Sequence, residues 1–369
     1  MQKDPYTNQI MFCKMSPTLF IIGIKIVFVS LAKNAFIKAL GPISGLLLLI
    51  NFGVLLPNVC AETVLLNVSY DVTRELFKDI NPLFVAEWKK VQSEELIINQ
   101  SHGGSSKQAR SVADGLQASV VTMNQANDID ILVDAKVVDR DWSKRFAHNS
   151  SPFYSTILFL VRKGNPKGIR DWPDLSKPGV KSIIPNPKTS GNGRYSYLAS
   201  WGSVIRQGGT EAQARDQVTR LFRNVPVLDT GGRAASTTFT QRGIGDVLVT
   251  FENEVYLIKK ELGEQFEIVY PPISILAESS VSVVDKVIDR KNLRKQATGY
   301  LQFLYTDPVQ EVIARHYFRP RSDAIAKKYA REFKAIQLFT VDELFGGWKS
   351  AQKKHFDDGG EFDQIFQSR

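Results

Sequence analysis

The sequence predicts an α/β fold with mostly parallel sheets, because strand-like and helix-like segments alternate from residue 63 to about residue 305. Residues 63–70 form a β-type run without turn residues. Residues 72–91 then place large apolar side chains three to four positions apart, which is typical of an amphipathic helix. The same strand-then-helix unit recurs along the chain, as expected when helices connect the strands of one sheet.

The later elements follow the same order. We predict strands at 96–99, 119–123, 154–161 and 225–228, and helices at about 106–117, 128–135 and 194–206, with a further helix that ends at residue 241. Boundaries in the polar stretch 145–153 and near residue 255 divide the chain. The predicted organisation is a leader (1–61), a first lobe (62–145 and 255–330), a second lobe (146–254) and a helical tail (331–369) packed on the first lobe.

The first 61 residues have the pattern of a secretion leader. The apolar run 43–56 is short for a membrane span, two lysines precede it, and Val59 and Ala61 predict cleavage before Glu62. Secretion would place the mature chain in the periplasm. Two alternatives are a lipoprotein anchored through Cys60 and a permanent anchor, which the second apolar stretch, 19–31, would favour.

Composition excludes several classes of site. The formal net charge is +9, of which the leader carries five lysines and one aspartate, and no basic block resembles a nucleic-acid surface. Both cysteines, Cys13 and Cys60, lie in the leader, so the mature chain would have no disulfide or thiol chemistry. The four histidines are scattered. We therefore predict no metal, no cofactor and no nucleic-acid partner.

Polar turns follow the predicted strands and precede predicted helices at 69–71, 101–107, 186–193 and 229–233. The carboxyl ends of parallel strands share one edge of a sheet, where ligands bind. Helix N-termini there offer unpaired N–H groups, glycine allows close approach, and serine adds a hydroxyl donor. The pattern predicts an anion site, although each turn alone is also typical of an ordinary helix cap.

Two enzyme classes are less well supported. Residues 103–107 lack the Gly-Lys-Ser/Thr ending of a P-loop. Ser101 and His102 are adjacent, and no Gly-x-Ser-x-Gly elbow is present. A secreted α/β hydrolase or transferase acting on a small anion remains the alternative.

At these turns the sequence resembles the sulfate/thiosulfate-binding proteins of bacterial ABC transporters. The resemblance extends over essentially all of 63–365, and its matching stretches are 66–71, 100–109, 149–156, 159–166, 186–195, 229–233, 242–248, 317–320 and 355–362. It implies a two-lobed, type II periplasmic-binding-protein-like fold with the anion in the interlobe cleft. It also implies a monomer without catalytic residues, which delivers sulfate or thiosulfate to an inner-membrane permease.

Carried over by the resemblance, the anion's donors are hydroxyls and backbone N–H groups. They come from Asp71 (N–H), Ser105 (hydroxyl and N–H), Ser190 (hydroxyl), and Gly191, Asn192 and Gly232 (N–H). The family's sulfate binders often have glycine at position 192 and alanine at position 232. Phe251 stands where the sulfate-specific branch has a tryptophan donor, which resembles the thiosulfate branch and leaves the preference between the two anions open.

Overall fold

A computed structural model describes residues 62–367, so the predicted leader lies outside the described residues. The strands are β1 (Thr63–Tyr70), β2 (Leu96–Gly103), β3 (Val120–Met123), β4 (Phe153–Ser155), β5 (Ile157–Arg162), β6 (Ser182–Ile183), β7 (Val247–Phe251), β8 (Phe266–Val269), β9 (Ile273–Ile275), β10 (Ala277–Val283), β11 (Arg319–Pro320) and β12 (Gln337–Phe339). The alternation of strands and helices predicted from the sequence is confirmed.

The α-helices between and after these strands are α1 (Arg74–Gln92), α2 (Ser105–Ala113), α3 (Ala126–Asp134), α4 (Trp172–Leu175), α5 (Gly191–Arg206), α6 (Glu211–Arg223), α7 (Gly232–Thr240), α8 (Glu252–Leu262), α9 (Asp285–Arg290), α10 (Arg294–Phe303), α11 (Asp307–Arg315), α12 (Asp323–Lys328), α13 (Val341–Phe345), α14 (Trp348–Ala351) and α15 (Glu361–Gln367). None of the helices in 62–367 combines the length and the apolar character needed to cross a membrane.

The strands form two main sheets and one small pair. One sheet has the order β11-β4-β10-β3-β1-β2, the second has the order β6-β7-β5-β8, and β12 pairs with β9. The sheets are mixed: in the described part of the chain, five of nine strand pairings are antiparallel. The expectation of mostly parallel sheets was therefore wrong in this detail, because apolar runs do not reveal strand direction.

The strands that lead into the candidate turns do run in parallel. β1 pairs in parallel with both β2 and β3. Their carboxyl ends, which continue into Asp71, Gly104 and Asn124, therefore lie at one edge of the six-stranded sheet. β6 pairs in parallel with β7 in the other sheet. This local arrangement is the one on which the predicted anion site depends.

The chain crosses between the two lobes at Thr156 and Leu276. β4 belongs to the six-stranded sheet and β5 to the four-stranded sheet, while β9 pairs with β12 and β10 returns to the six-stranded sheet. Thr156 Oγ1 donates to the Ile275 carbonyl at 2.8 Å, so the two crossings lie side by side. The strands of the four-stranded sheet span residues 157–269, whereas we predicted 146–254 for the second lobe.

The C-terminal tail packs mainly on the second lobe, where the sequence analysis had expected contact with the first. Lys188 binds the Asp363 carboxylate at 2.9 Å, and the Phe362 ring lies edge-on to Phe222 in α6, with centroids 5.3 Å apart. Contact with the first lobe includes a hydrogen bond from Asn127 to Gln352 at 3.3 Å. The position of the tail follows from the packing of its aromatic side chains against apolar side chains of α5 and α6.

Three predicted strands differ from the structure. The strand expected at 154–161 is divided at Thr156 into β4 and β5. The strand expected at 96–99 continues to Gly103, because β2 pairs with β1 along its whole length. Residues 225–228 form no strand. Only the residues on either side of this segment bond to the chain at 182–186. Ser182 N–H donates to the Asn224 carbonyl at 2.9 Å, and Asn186 N–H donates to the Asp229 carbonyl at 2.7 Å. Two bonds so far apart do not make a regular ladder.

Candidate anion site

Asp71 occupies the turn directly after β1. It opens the short 3₁₀ turn Asp71–Thr73 that leads into α1. Its carboxylate accepts hydrogen bonds from the backbone N–H of Val72 at 3.1 Å and of Arg233, in the other lobe, at 3.0 Å. Burial raises the pKa of this carboxyl, while the Arg233 amide and the Arg233 charge oppose that shift. The carboxylate is therefore engaged by protein amides and directed toward Arg233.

Ser105 is the first residue of α2 and is almost fully buried. Its hydroxyl oxygen accepts a hydrogen bond from the Asn124 backbone N–H at 3.1 Å and lies 3.6 Å from Met123 Sδ. The hydroxyl proton is thus held by at most a weak sulfur acceptor. Ser105 can donate that proton to a stronger acceptor such as an oxyanion.

Ser190 is the N-cap residue of α5, with Gly191 and Asn192 as the first two helical residues. The Ser190 side chain is 2% exposed and makes no capping hydrogen bond to the helix. Backbone N–H groups in the first turn of a helix have no carbonyl partner within that helix. An ordinary cap would use the Ser190 oxygen for one of them, so the structure favours a role beyond capping.

The loops of the two lobes meet at Gly104. A Cβ atom on Gly104 would lie 2.9 Å from the carbonyl oxygens of both Thr189 and Thr230. A Cβ atom on Gly191 would overlap the side chain of Asn124, on the opposite lobe. The cleft is therefore closed. This closure brings Asp71 and Ser105 of one lobe together with Ser190, Gly191, Asn192 and Gly232 of the other.

Asn192 and Gly232 fit each other. The Asn192 amide nitrogen donates to Thr250 Oγ1 at 2.7 Å and lies 3.0 Å from the position that a Cβ on Gly232 would take. An alanine at 232 would crowd this amide, and a glycine at 192 would leave the space empty. The two departures from the glycine-and-alanine pattern thus compensate, and both backbone N–H groups stay in place.

Phe251 ends β7 and forms a buried wall beside the turn. Its ring packs edge-on between Tyr70 and Tyr195, with centroids 6.3 Å and 5.9 Å away. Because Tyr70 directly precedes Asp71, this ring lies next to the predicted donors. Six of the seven predicted site residues are therefore buried, and Asp71, which is partly exposed, lies beside them.

The model of a family described as bacterial extracellular solute-binding protein matches residues 65–319. This chain belongs to that family. It is 56% identical to the thiosulfate-binding protein of Pseudomonas aeruginosa over 83% of this chain and 93% of the relative, and 53% identical to the sulfate-binding protein of Escherichia coli over 82% and 92%. The structure of the sulfate-binding protein SubI from Mycobacterium tuberculosis matches with a TM-score of 0.73 and 34% identity, over 80% of this chain and all of the other.

This solute-binding protein also carries site residues that the sequence analysis missed. Asn124 lies at the end of β3, against Ser105 and Gly191, and its Oδ1 has no hydrogen-bond partner within 62–367. Behind α2 and α5, the buried carboxylate of Asp128 accepts from Ser106 Oγ at 2.7 Å and lies 3.6 Å from Arg194. Asn124 directly follows the predicted strand 119–123, so the same turn rule could have found it.

Proposed function

We propose that this solute-binding protein binds sulfate and thiosulfate in the closed cleft. The observation that carries the proposal is the convergence of the first turns of α2, α5 and α7, from both lobes, on one buried region. Helix N-termini stabilise anions through unpaired N–H groups and the helix dipole. The relatives named for sulfate and thiosulfate support the choice of a sulfur oxyanion.

The proposed site holds a dianion with neutral donors. Asp128 and Arg194 lie behind the helices and face each other, so neither charge is free to act as a strong counter-ion. Hydroxyls and amides that are already oriented cost little reorganisation when the anion enters. Capture then needs both lobes, because each supplies only part of the donor set.

We further propose that the mature protein acts as a monomer in the periplasm. The lobes would close on the anion by rotation at the crossings near Thr156 and Leu276. The closed form would dock on an ABC permease and release the anion as the lobes open. A hydrolase is disfavoured by the geometry of Ser69 and His102, which share a 2.7 Å hydrogen bond, because Ser69 is fully buried and could not attack a substrate.

Calorimetric titration of residues 62–369 with sulfate, thiosulfate, phosphate and molybdate tests the proposal. We expect both sulfur anions to bind one site per chain and to raise the melting temperature, with no chemical change in the ligand. Failure of both sulfur anions to bind would overturn the proposal. Turnover of a labelled substrate would restore the hydrolase alternative.

Replacing Ser190 with alanine is expected to weaken binding of both anions by about 1–3 kcal/mol, because it removes one donor to a buried charge. Ser203→Ala is the matched control, since Ser203 is a buried serine of the same helix whose hydroxyl donates to the Ser200 carbonyl at 2.8 Å. Calorimetry on both variants, with melting temperatures of the free proteins, makes the comparison. Equal affinities of the two variants would show that Ser190 is only structural.

The Phe251→Trp variant is expected to shift preference toward sulfate. An indole N–H would add a donor to a small oxygen, a contact worth about 1.5–3 kcal/mol when the acceptor is charged. The terminal sulfur of thiosulfate is larger and accepts such a bond poorly. Competition titrations should show the sulfate-to-thiosulfate affinity ratio rising about tenfold. A constant or falling ratio in a variant of unchanged melting temperature would contradict the role of position 251.

A further inference from the structure

A cavity lies at the mouth of the cleft, outside the contact of Gly104 with Thr189 and Thr230 that closes the cleft. Its volume is about 390 Å³, and its lining includes Asp71, Arg74, His102, Gly104, Lys107 and Gly231. Gly104 and Gly231 directly precede Ser105 and Gly232, two of the predicted donors. The cavity therefore adjoins the proposed inner site, with which it shares Asp71, and opens to solvent past exposed Arg74 and Lys107.

Two cations of this cavity have no fixed partner. Arg74 begins α1 and Lys107 lies in the first turn of α2, and neither forms a hydrogen bond or ion pair through its side chain with any residue that the structure describes. Lysine and arginine at these positions are unfavourable to a helix, because the N-terminal end of the dipole is positive. Their presence there points to a role other than helix stability.

The lining of the cavity is net positive, because it holds the cations of Arg74 and Lys107 against one carboxylate, that of Asp71. The Asp71 carboxylate is occupied by the amides of Val72 and Arg233, and Glu75 is paired with the Arg233 guanidinium at 2.8 Å. His102 is neutral at physiological pH, because burial, helped by the nearby Arg74 charge, lowers its pKa to about 4. Arg74 and Lys107 are thus the charges that an arriving ligand would meet.

We infer that this cavity is an outer anion subsite, in which Arg74 and Lys107 capture a small dianion before the lobes close around it. The inference rests on the proposed function. Exposed cations accelerate encounter with an anion through long-range attraction, whereas the inner site offers only short-range neutral donors. The outer subsite attracts an anion by its charge alone, so it binds sulfate and thiosulfate equally well. Selection between them is left to the inner site.

The test compares Arg74→Gln/Lys107→Gln with a control of equal charge change, Lys260→Gln/Lys291→Gln, in which both lysines are exposed and lie outside this cavity. Calorimetry gives Kd, and release of bound ³⁵S-sulfate into excess unlabelled sulfate gives koff. The association rate constant kon is then koff divided by Kd. The same measurements with thiosulfate complete the set. All proteins are the full mature chain.

At low ionic strength we expect the cavity variant to bind both anions with a kon about five- to tenfold below the control, with koff within twofold of wild type. The difference should shrink in about 0.5 M salt, where the Debye length is only a few ångströms. Equal kon in the two variants overturns the subsite. A raised koff with unchanged kon also overturns it, because the cations would then hold the bound anion. Absence of binding in the wild-type protein removes the proposed function itself and is recognised before any variant is made.

Discussion

Phosphate is expected to bind about a thousand-fold more weakly than the better of the two sulfur anions at neutral pH. Phosphate resembles sulfate in size and shape but carries a proton near neutrality. The groups placed around the anion are donors, and the Asp71 carboxylate is occupied by the amides of Val72 and Arg233. The phosphate proton would therefore face another donor, and a buried polar group left unpaired costs about 1–3 kcal/mol or more.

The Asn124 amide oxygen beside Ser105 is a neutral acceptor without a partner within 62–367, and rotation of that amide would present its N–H₂ group instead. Calorimetry between mildly acidic and mildly alkaline pH checks the expectation. Phosphate affinity should rise with pH as the proton is lost, while sulfate affinity stays flat because sulfate is a dianion throughout. Tight phosphate binding at neutral pH would mean that an acceptor lines the site.

The Gly104→Ala variant is expected to lose affinity for both sulfur anions by about 10- to 100-fold, from about 1–3 kcal/mol of overpacking. The added methyl would lie 2.9 Å from two backbone carbonyls of the other lobe, those of Thr189 and Thr230. Backbone atoms cannot rotate aside as a side chain can, so the lobes must stop short of full closure. The backbone of Gly104, with φ −57° and ψ 131°, suits alanine well.

Gly103→Ala is the matched control for this variant. The three atoms nearest to a Cβ on Gly103 all belong to the Gln108 side chain of the same lobe, the closest at 3.2 Å. We expect Gly103→Ala to bind almost as wild type, and both free variants to keep the wild-type melting temperature. Anion-induced stabilisation should disappear selectively in Gly104→Ala. Wild-type affinity in that variant would show that the lobes need not meet at this point.

The sequence located most of the site because the site obeys a local rule. Asp71, Ser105 and Ser190 each lie in a turn that leads into a helix. The turns of Asp71 and Ser105 share one edge because β1 and β2 run in parallel, whereas Ser190 follows β6 of the other sheet. Asn124 obeys the same rule at the end of β3 and was overlooked. The part of the prediction that named the anion came from the family resemblance and not from the spacing.

Other features depend on contacts between distant parts of the chain. The fit of Asn192 to Gly232 joins positions 40 residues apart, and the seat of the tail depends on matching Phe362 to Phe222. Strand direction also escaped prediction, because the sequence of a strand such as Ala277–Val283 does not show whether its neighbour runs parallel or antiparallel. Local sequence patterns do not predict contacts between distant residues, so these pairings are seen only in the folded structure.

The sheet order also has a consequence for the order in which the chain can fold. In the six-stranded sheet, residues 120–123 pair with 280–283 and Phe153 pairs with Pro320, whereas the four-stranded sheet draws its strands from 157 to 269 without interruption. A growing chain can therefore assemble the four-stranded sheet while the other still lacks two of its six strands. Long-range pairing of this kind slows folding. The first lobe therefore stays incomplete until Ala277–Val283 and Arg319–Pro320 have been synthesised.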